Sequence, residues 1–136
     1  MSLGKIALLY VACIITFFAL DFIWLGTMNA RFYQPRLGHL MAAQPKLGIA
    51  AGFYLLYIIG IVALAVIPGL QEGSLVGALW RGALFGFLAY ATYDLTNMAT
   101  LRDWPWQVTV VDMVWGTSVN SIVAVAGYYA GKLLGL

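Results

Sequence analysis

Four apolar stretches, each long enough to cross a bilayer, leave this chain few ways to fold. A helix that spans the hydrocarbon core needs about 20 predominantly apolar residues. The spacing predicts helices near 5–28, 48–70, 78–101 and 106–131. Within lipid, each span must satisfy its own backbone hydrogen bonds, which selects helices over open strands. Only 9% of the residues are charged, against about 25% in an ordinary soluble domain. That is too few to make a water-facing surface. The 136 residues suffice for one unit. The expected fold is an all-α integral membrane protein of one domain, residues 1–136. Its four transmembrane helices form a compact bundle with a longer interfacial connection between the first two.

The first apolar run follows Lys5, as in a signal peptide. It continues well past a typical signal core and reaches no small-residue cleavage site, so it reads as a retained helix. The single Cys13 excludes an internal disulfide and a cysteine-based metal site, and its apolar surroundings predict a buried thiol. A net charge of +2, scattered along the chain, gives no nucleic-acid footprint.

Four crossings put both termini on one side. Arg31, Arg36, Lys46 and Arg102 then fall on the side of the 1–2 and 3–4 connections, with Lys5, Arg81 and Lys132 opposite. The positive-inside rule weakly favours cytoplasmic connections.

Against this apolar background three spans carry an aspartate. Charged residues within spans are costly and mark functional sites by default. Asp21 is followed by Trp24 and Asn29; Asp112 is followed at the same offsets by Trp115 and Asn120. Asp94 lies between Tyr90 and Asn97. Asp21 comes sixteen positions after Lys5, roughly 24 Å along a helix. Asp94 is thirteen positions beyond Arg81, and Asp112 only seven beyond Pro105 in a span of opposite direction. Depth and alternating direction therefore predict all three carboxyls in one half of the membrane, away from the termini.

Small residues permit close helix packing in lipid. Gly48 and Gly52, Gly82 and Gly86, and Gly127 and Gly131 are each four apart. Gly82, Gly86, Tyr90, Asp94 and Asn97 follow one face of the third helix, and Asp112, Trp115, Gly116, Asn120 and Gly127 form a similar stripe on the fourth. The 1–2 connection, with Arg31, Phe32, Tyr33, Pro35, Arg36, His39 and Pro45, suits the headgroup layer, with a short interfacial helix expected over Leu37–Ala43. Trp104 and Trp106 of the 3–4 connection fit an aromatic belt, and Pro105 the first turn of the fourth helix.

Several strings together resemble a known family: Asp21, Trp24, Leu25 and Gly26; Phe32 and Tyr33 with Leu37 to Leu40; Tyr90 to Asn97; Ala99 to Leu101; Asp103 to Pro105; and Val111 to Thr117. The chain resembles the small bacterial membrane proteins of domain-of-unknown-function family 2177. The resemblance covers nearly the whole chain. It implies four membrane helices, a multi-pass location in the bacterial inner membrane, and no established activity.

The candidate ligand-binding residues are Asp21, Trp24, Tyr90, Asp94, Asn97, Asp112, Trp115 and Asn120, with Asp94, Asp112 and Asp21 as the acid–base candidates. Each has a structural alternative. The aspartates could bond polar side chains of neighbouring helices, or pair with Arg31 or Arg102. Trp24 and Trp115 could be interfacial anchors, and Tyr90 and Asn97 interhelical hydrogen-bond partners. His39, the one histidine, could titrate above a pocket but fits an interfacial role. A carboxylate-only site for a divalent cation has oxygen ligands but no recognised spacing. No phosphate loop, nucleophile elbow or paired-histidine motif is present, and no cofactor is implied.

Three functions fit these residues. The first is binding, or in its stronger form modification, of a lipid or other lipophilic molecule in an acidic, aromatic pocket. The second is proton- or ion-coupled transport, for which acids in one membrane half alone fit poorly. The third is a non-catalytic partner subunit, which leaves the acids unexplained. The first accounts for most. Its implied partners are membrane lipid and a lipophilic ligand, with no nucleic acid and with homo-oligomers permitted by the glycine faces.

Overall fold

The computed structural model describes residues 1–136. It is an all-helical bundle with four helical rods. α1 runs over Leu3–Leu40, α2 over Leu47–Glu72, α3 over Leu75–Thr100 and α4 over Trp106–Leu133. Each rod is long and apolar enough to cross a membrane. The outer surface supports that placement. Ile15, Phe22, Leu56 and Val114 are each between 64% and 71% exposed, an apolar surface that suits lipid and not water.

The rods begin and end on local chemistry. Ser2 caps α1 through the N–H of Lys5, and Ser74 caps α3 through the N–H of Gly77. Between α2 and α3 the chain reverses over Gly73, whose φ of 64° suits glycine. Arg81 forks onto Glu72 with both guanidinium nitrogens and ties this hairpin at the terminal end. Between α3 and α4 the tight turn places Asp103 at φ 62°, a left-handed conformation that aspartate tolerates better than most residues.

Two of the rods contain a widened π turn, at Asn29–Tyr33 in α1 and Val62–Val66 in α2. In each case a proline follows two residues later, Pro35 and Pro68. A proline ring inside a helix clashes with the carbonyl four residues earlier. Here those carbonyls belong to Arg31 and Leu64, inside the widened turns. The extra residue in each turn gives the ring room without ending the helix.

This corrects the expected 1–2 connection. The regular α-helix does end at Met28, as expected, but the helical path goes on without a break, and the short helix expected over Leu37–Ala43 lies earlier, at Gln34–Leu40. Helix continues from Met28 through the π turn and Gln34–Leu37 to a 3-10 turn at Gly38–Leu40. Only residues 41–46 are non-helical. Thirty-eight residues would extend roughly 57 Å if straight, about twice the hydrocarbon thickness. The segment beyond the π turn instead lies across one end of the bundle, with Tyr33 reaching α4.

α3 and α4 make the tightest seam. A Cβ on Gly82 would lie 2.6 Å from the Cβ of Ala124 and 2.7 Å from the Asn120 carbonyl. A Cβ on Gly86 would run into the Gly116 carbonyl, and one on Gly116 into the Tyr90 ring. Gly127 and Gly131 give similar access to Val66 with Cys13, and to Leu70. Gly48 and Gly52, by contrast, face open space. The first half of α2 stands away from α3, while the half beyond its π turn packs against it. The spacing of four was therefore a packing signal in two glycine pairs and not in the third.

The terminal-side half of the bundle is filled by an apolar core. Leu9, Cys13 and Phe17 of α1 meet Ile58, Ile61, Val66 and Leu70 of α2 and Val119, Val123 and Tyr128 of α4. Replacing Gly86 by alanine forces the two backbones apart, and replacing Gly116 displaces the Tyr90 ring, each with an expected loss of about 1–3 kcal/mol. Gly48→Ala and Gly52→Ala, in a helix with open space at each Cβ, should keep stability or raise it by up to about 1 kcal/mol. Thermal unfolding in neutral detergent would separate the two pairs.

Candidate functional site

Above that core, at the end carrying the 1–2 and 3–4 connections, the bundle encloses a cavity of about 400 Å³. α1 contributes Asp21, Trp24, Leu25 and Asn29, and its bent extension adds Tyr33 and Leu37, with Met41 just beyond. α2 lines it with Phe53, Tyr54 and Tyr57, α3 with Ala89, Tyr90 and Tyr93, and α4 with Asp112 and Trp115. The floor is set where α2 reaches α3. There the Tyr57 and Phe85 rings are 4.9 Å apart, and a Cβ on Gly60 would touch the Phe85 ring at 2.8 Å. Beyond this contact the first half of α2 packs little against α3, and Phe53 and Tyr93, which line the cavity from these two helices, are both more than half exposed.

The two matching Asp and Trp pairs meet in a crossed arrangement. Trp24 of α1 and Trp115 of α4 stack nearly parallel, with centroids 4.3 Å apart and planes 5° apart. The Trp24 indole donates to the Tyr33 hydroxyl at 3.0 Å, and Tyr33 in turn donates to the Asp112 carboxylate. The Trp115 indole N–H is directed at Asp21 without closing a hydrogen bond of ordinary geometry. Each tryptophan thus serves the aspartate of the other helix. The repeat breaks at its third member. Asn29 lines the cavity, whereas Asn120 is buried against α3 and gives its amide to the Gly116 carbonyl at 2.6 Å.

The π turn of α1 makes the Trp24–Tyr33 contact possible. Nine residues apart in a regular helix, the two would project from opposite faces. The widened turn and the bend after it bring Tyr33 back over Trp24 and across to α4.

Asp94 is fully buried behind Asp112 rather than on the cavity wall. The two carboxyls face each other, and neither oxygen of Asp94 has a hydrogen-bond donor. Two ionised carboxylates are acceptors only, so their contact becomes a hydrogen bond when they share a proton. The backbone at Asp94 is held from the 3–4 turn. Trp104 donates to Thr109 at 3.0 Å, Thr109 donates to the Asp94 carbonyl at 3.3 Å, and the Trp104 ring meets Tyr93 edge to face.

No basic residue neutralises these acids. The ion pair of Arg81 with Glu72 is the only one in the molecule. Arg31 and Arg102 are exposed, and Arg36 lies over the Phe32 ring at 4.2 Å. His39 is exposed and outside the cavity. Nor do Asp21, Asp94 and Asp112 form a group able to coordinate a metal ion together.

Of the eight residues singled out from sequence, Asp21, Trp24, Tyr90, Asp112 and Trp115 share the cavity wall. Asp94 touches that group from behind. Asn97, half-buried, and Asn120 do not line the cavity. Sequence reasoning missed Tyr33, Tyr54, Tyr57 and Tyr93. Tyr54 and Tyr57 are three apart on one helical face, a signal that was available. Tyr33 had none, because its position depends on the π turn.

Stacked indoles at this separation couple their electronic transitions. Trp24→Phe and Trp115→Phe should each abolish the same ultraviolet circular-dichroism couplet. Trp80→Phe and Trp106→Phe, at exposed sites, should leave it intact.

Comparison with known proteins adds a family and nothing finer. No curated protein and no solved structure matches the chain. A family model described as "Predicted membrane protein (DUF2177)" matches residues 6–129, and by that match the chain belongs to this family of membrane proteins.

Proposed function

We propose that this protein binds a lipophilic molecule with a polar head, admitted sideways from the bilayer. The observation that carries this reading is the cavity between the splayed half of α2 and α3. Its walls are aromatic, its polar end holds Asp21 and Asp112, and the exposed Phe53 and Tyr93 mark its edge between α2 and α3. Concave sites with mostly apolar walls and a few convergent polar groups are the usual form of small-molecule sites. An amphipathic ligand suits both parts. Its head reaches the carboxylates and its tail leaves at the edge between α2 and α3. Asp112, hydrogen-bonded by Tyr33 and open to the cavity, is the group placed to exchange a proton with a bound head.

Binding fits this arrangement better than transport. Beneath Tyr57 and Asn120 the core is packed by Cys13, Val66, Val123 and Ala124, with Tyr128 the one polar-tipped side chain among its buried members. Apolar packing of this kind disfavours an ion route through a single chain to the terminal side.

Ala89 lies on the cavity wall and is half-buried, so a large side chain there would fill the space from α3. Native mass spectrometry should show lipid adducts on the wild type that Ala89→Trp loses while its thermal transition is kept. Identical adducts on both proteins, or none on the wild type after incubation with a total lipid extract, would reject the reading.

A further inference from the structure

The acids of this site have no countercharge within the protein. Asp21 and Asp112 face the cavity, and Asp94 stands behind Asp112 with both oxygens buried and undonated. No lysine, arginine or histidine is paired with any of them. Carboxylates in apolar surroundings need a proton or a cation to be tolerated. Around the two cavity-facing acids stand Trp24, Trp115, Tyr54, Tyr90 and Tyr93. An ammonium over the face of such a ring is stabilised by the ring quadrupole, by tryptophan most strongly. The two carboxylates disfavour an anion there, and the cavity's donors, Asn29 with indole and phenol groups, include no cationic one to offset them.

We propose that the head group taken by this cavity is an ammonium, carried on an apolar tail that leaves between α2 and α3. This rests on the lipophilic-ligand reading and specifies its chemistry. The ammonium sits between Asp21 and Asp112 and supplies the charge that the protein lacks there. A long-chain amine and an aminophospholipid share this head chemistry and differ in the phosphate that follows it.

The test compares heads on one tail. Purified wild-type protein in neutral detergent is offered hexadecyltrimethylammonium, hexadecylamine, hexadecanol and hexadecanoate at equal mole fraction. A phosphatidylethanolamine with the same acyl chains forms a fifth arm. Adducts are counted by native mass spectrometry. Both ammonium amphiphiles should be retained about tenfold over the alcohol, equivalent to about 1.4 kcal/mol, and further still over the acid. Retention of the phosphatidylethanolamine at the level of the amines assigns the head to a membrane lipid, and its exclusion assigns it to a free amine. In the Asp21→Asn and Asp112→Asn double variant the preference for ammonium over alcohol should vanish while hexadecanol still binds. Equal or better retention of hexadecanol or hexadecanoate by the wild type overturns the proposal and leaves lipophilic binding standing. Absence of every adduct overturns both. The wild-type comparison needs no variant, so it decides even where the double variant fails to fold.

Discussion

The close approach of α3 and α4 is the constraint on which the rest of the molecule depends. Lipid provides no hydrophobic drive to hold helices together, so association relies on intimate packing and interhelical polar contacts. Gly82, Gly86 and Gly116 supply the packing by removing the side chains that would hold the two backbones apart. Once the seam closes, Asp94 has to face Asp112, and Tyr90 has to lie across Gly116 into the cavity. The acidic end of the site therefore follows from a packing decision made by glycine.

α2 adds the second half of the architecture. Its π turn and Pro68 separate a segment that packs against α3 from one that leans away. A uniform helix packed along its whole length would close the space over Tyr54 and Tyr57. The other π turn, before Pro35, lets α1 continue and bend over the same end, where Tyr33 joins Trp24 to Asp112. Two backbone irregularities tied to two prolines thus shape the wall and the roof of one cavity, one of them from within the apolar half of the bundle opposite it.

How much of this was legible in the sequence differs from residue to residue. The four spans were legible because length and hydropathy are enough to call a membrane helix. The shared depth of Asp21, Asp94 and Asp112 needed only helical rise and alternating direction. The pairing of Trp24 with Trp115 was not legible. The repeated spacing revealed two similar helix faces without showing that each indole would serve the other helix's carboxylate. Gly48 and Gly52 misled, because a spacing of four is the same whether a neighbour is present or absent. Asn120 misled for a related reason: one helical stripe is wide enough to face a cavity at Trp115 and a neighbouring backbone at Asn120.

The sequence alone determined that this is a four-span membrane protein of the DUF2177 family with its costly acids in one half of the bundle. Those properties depend on residue type and position along each helix, which are local. Only the tertiary structure decided that the acids border an aromatic cavity, that Asp94 lies behind its wall, and that Tyr33 closes over it. Those properties depend on helix rotation, on the divergence of α2 and on the bend of α1. Each is set by contacts between segments far apart in the chain, which no single segment encodes.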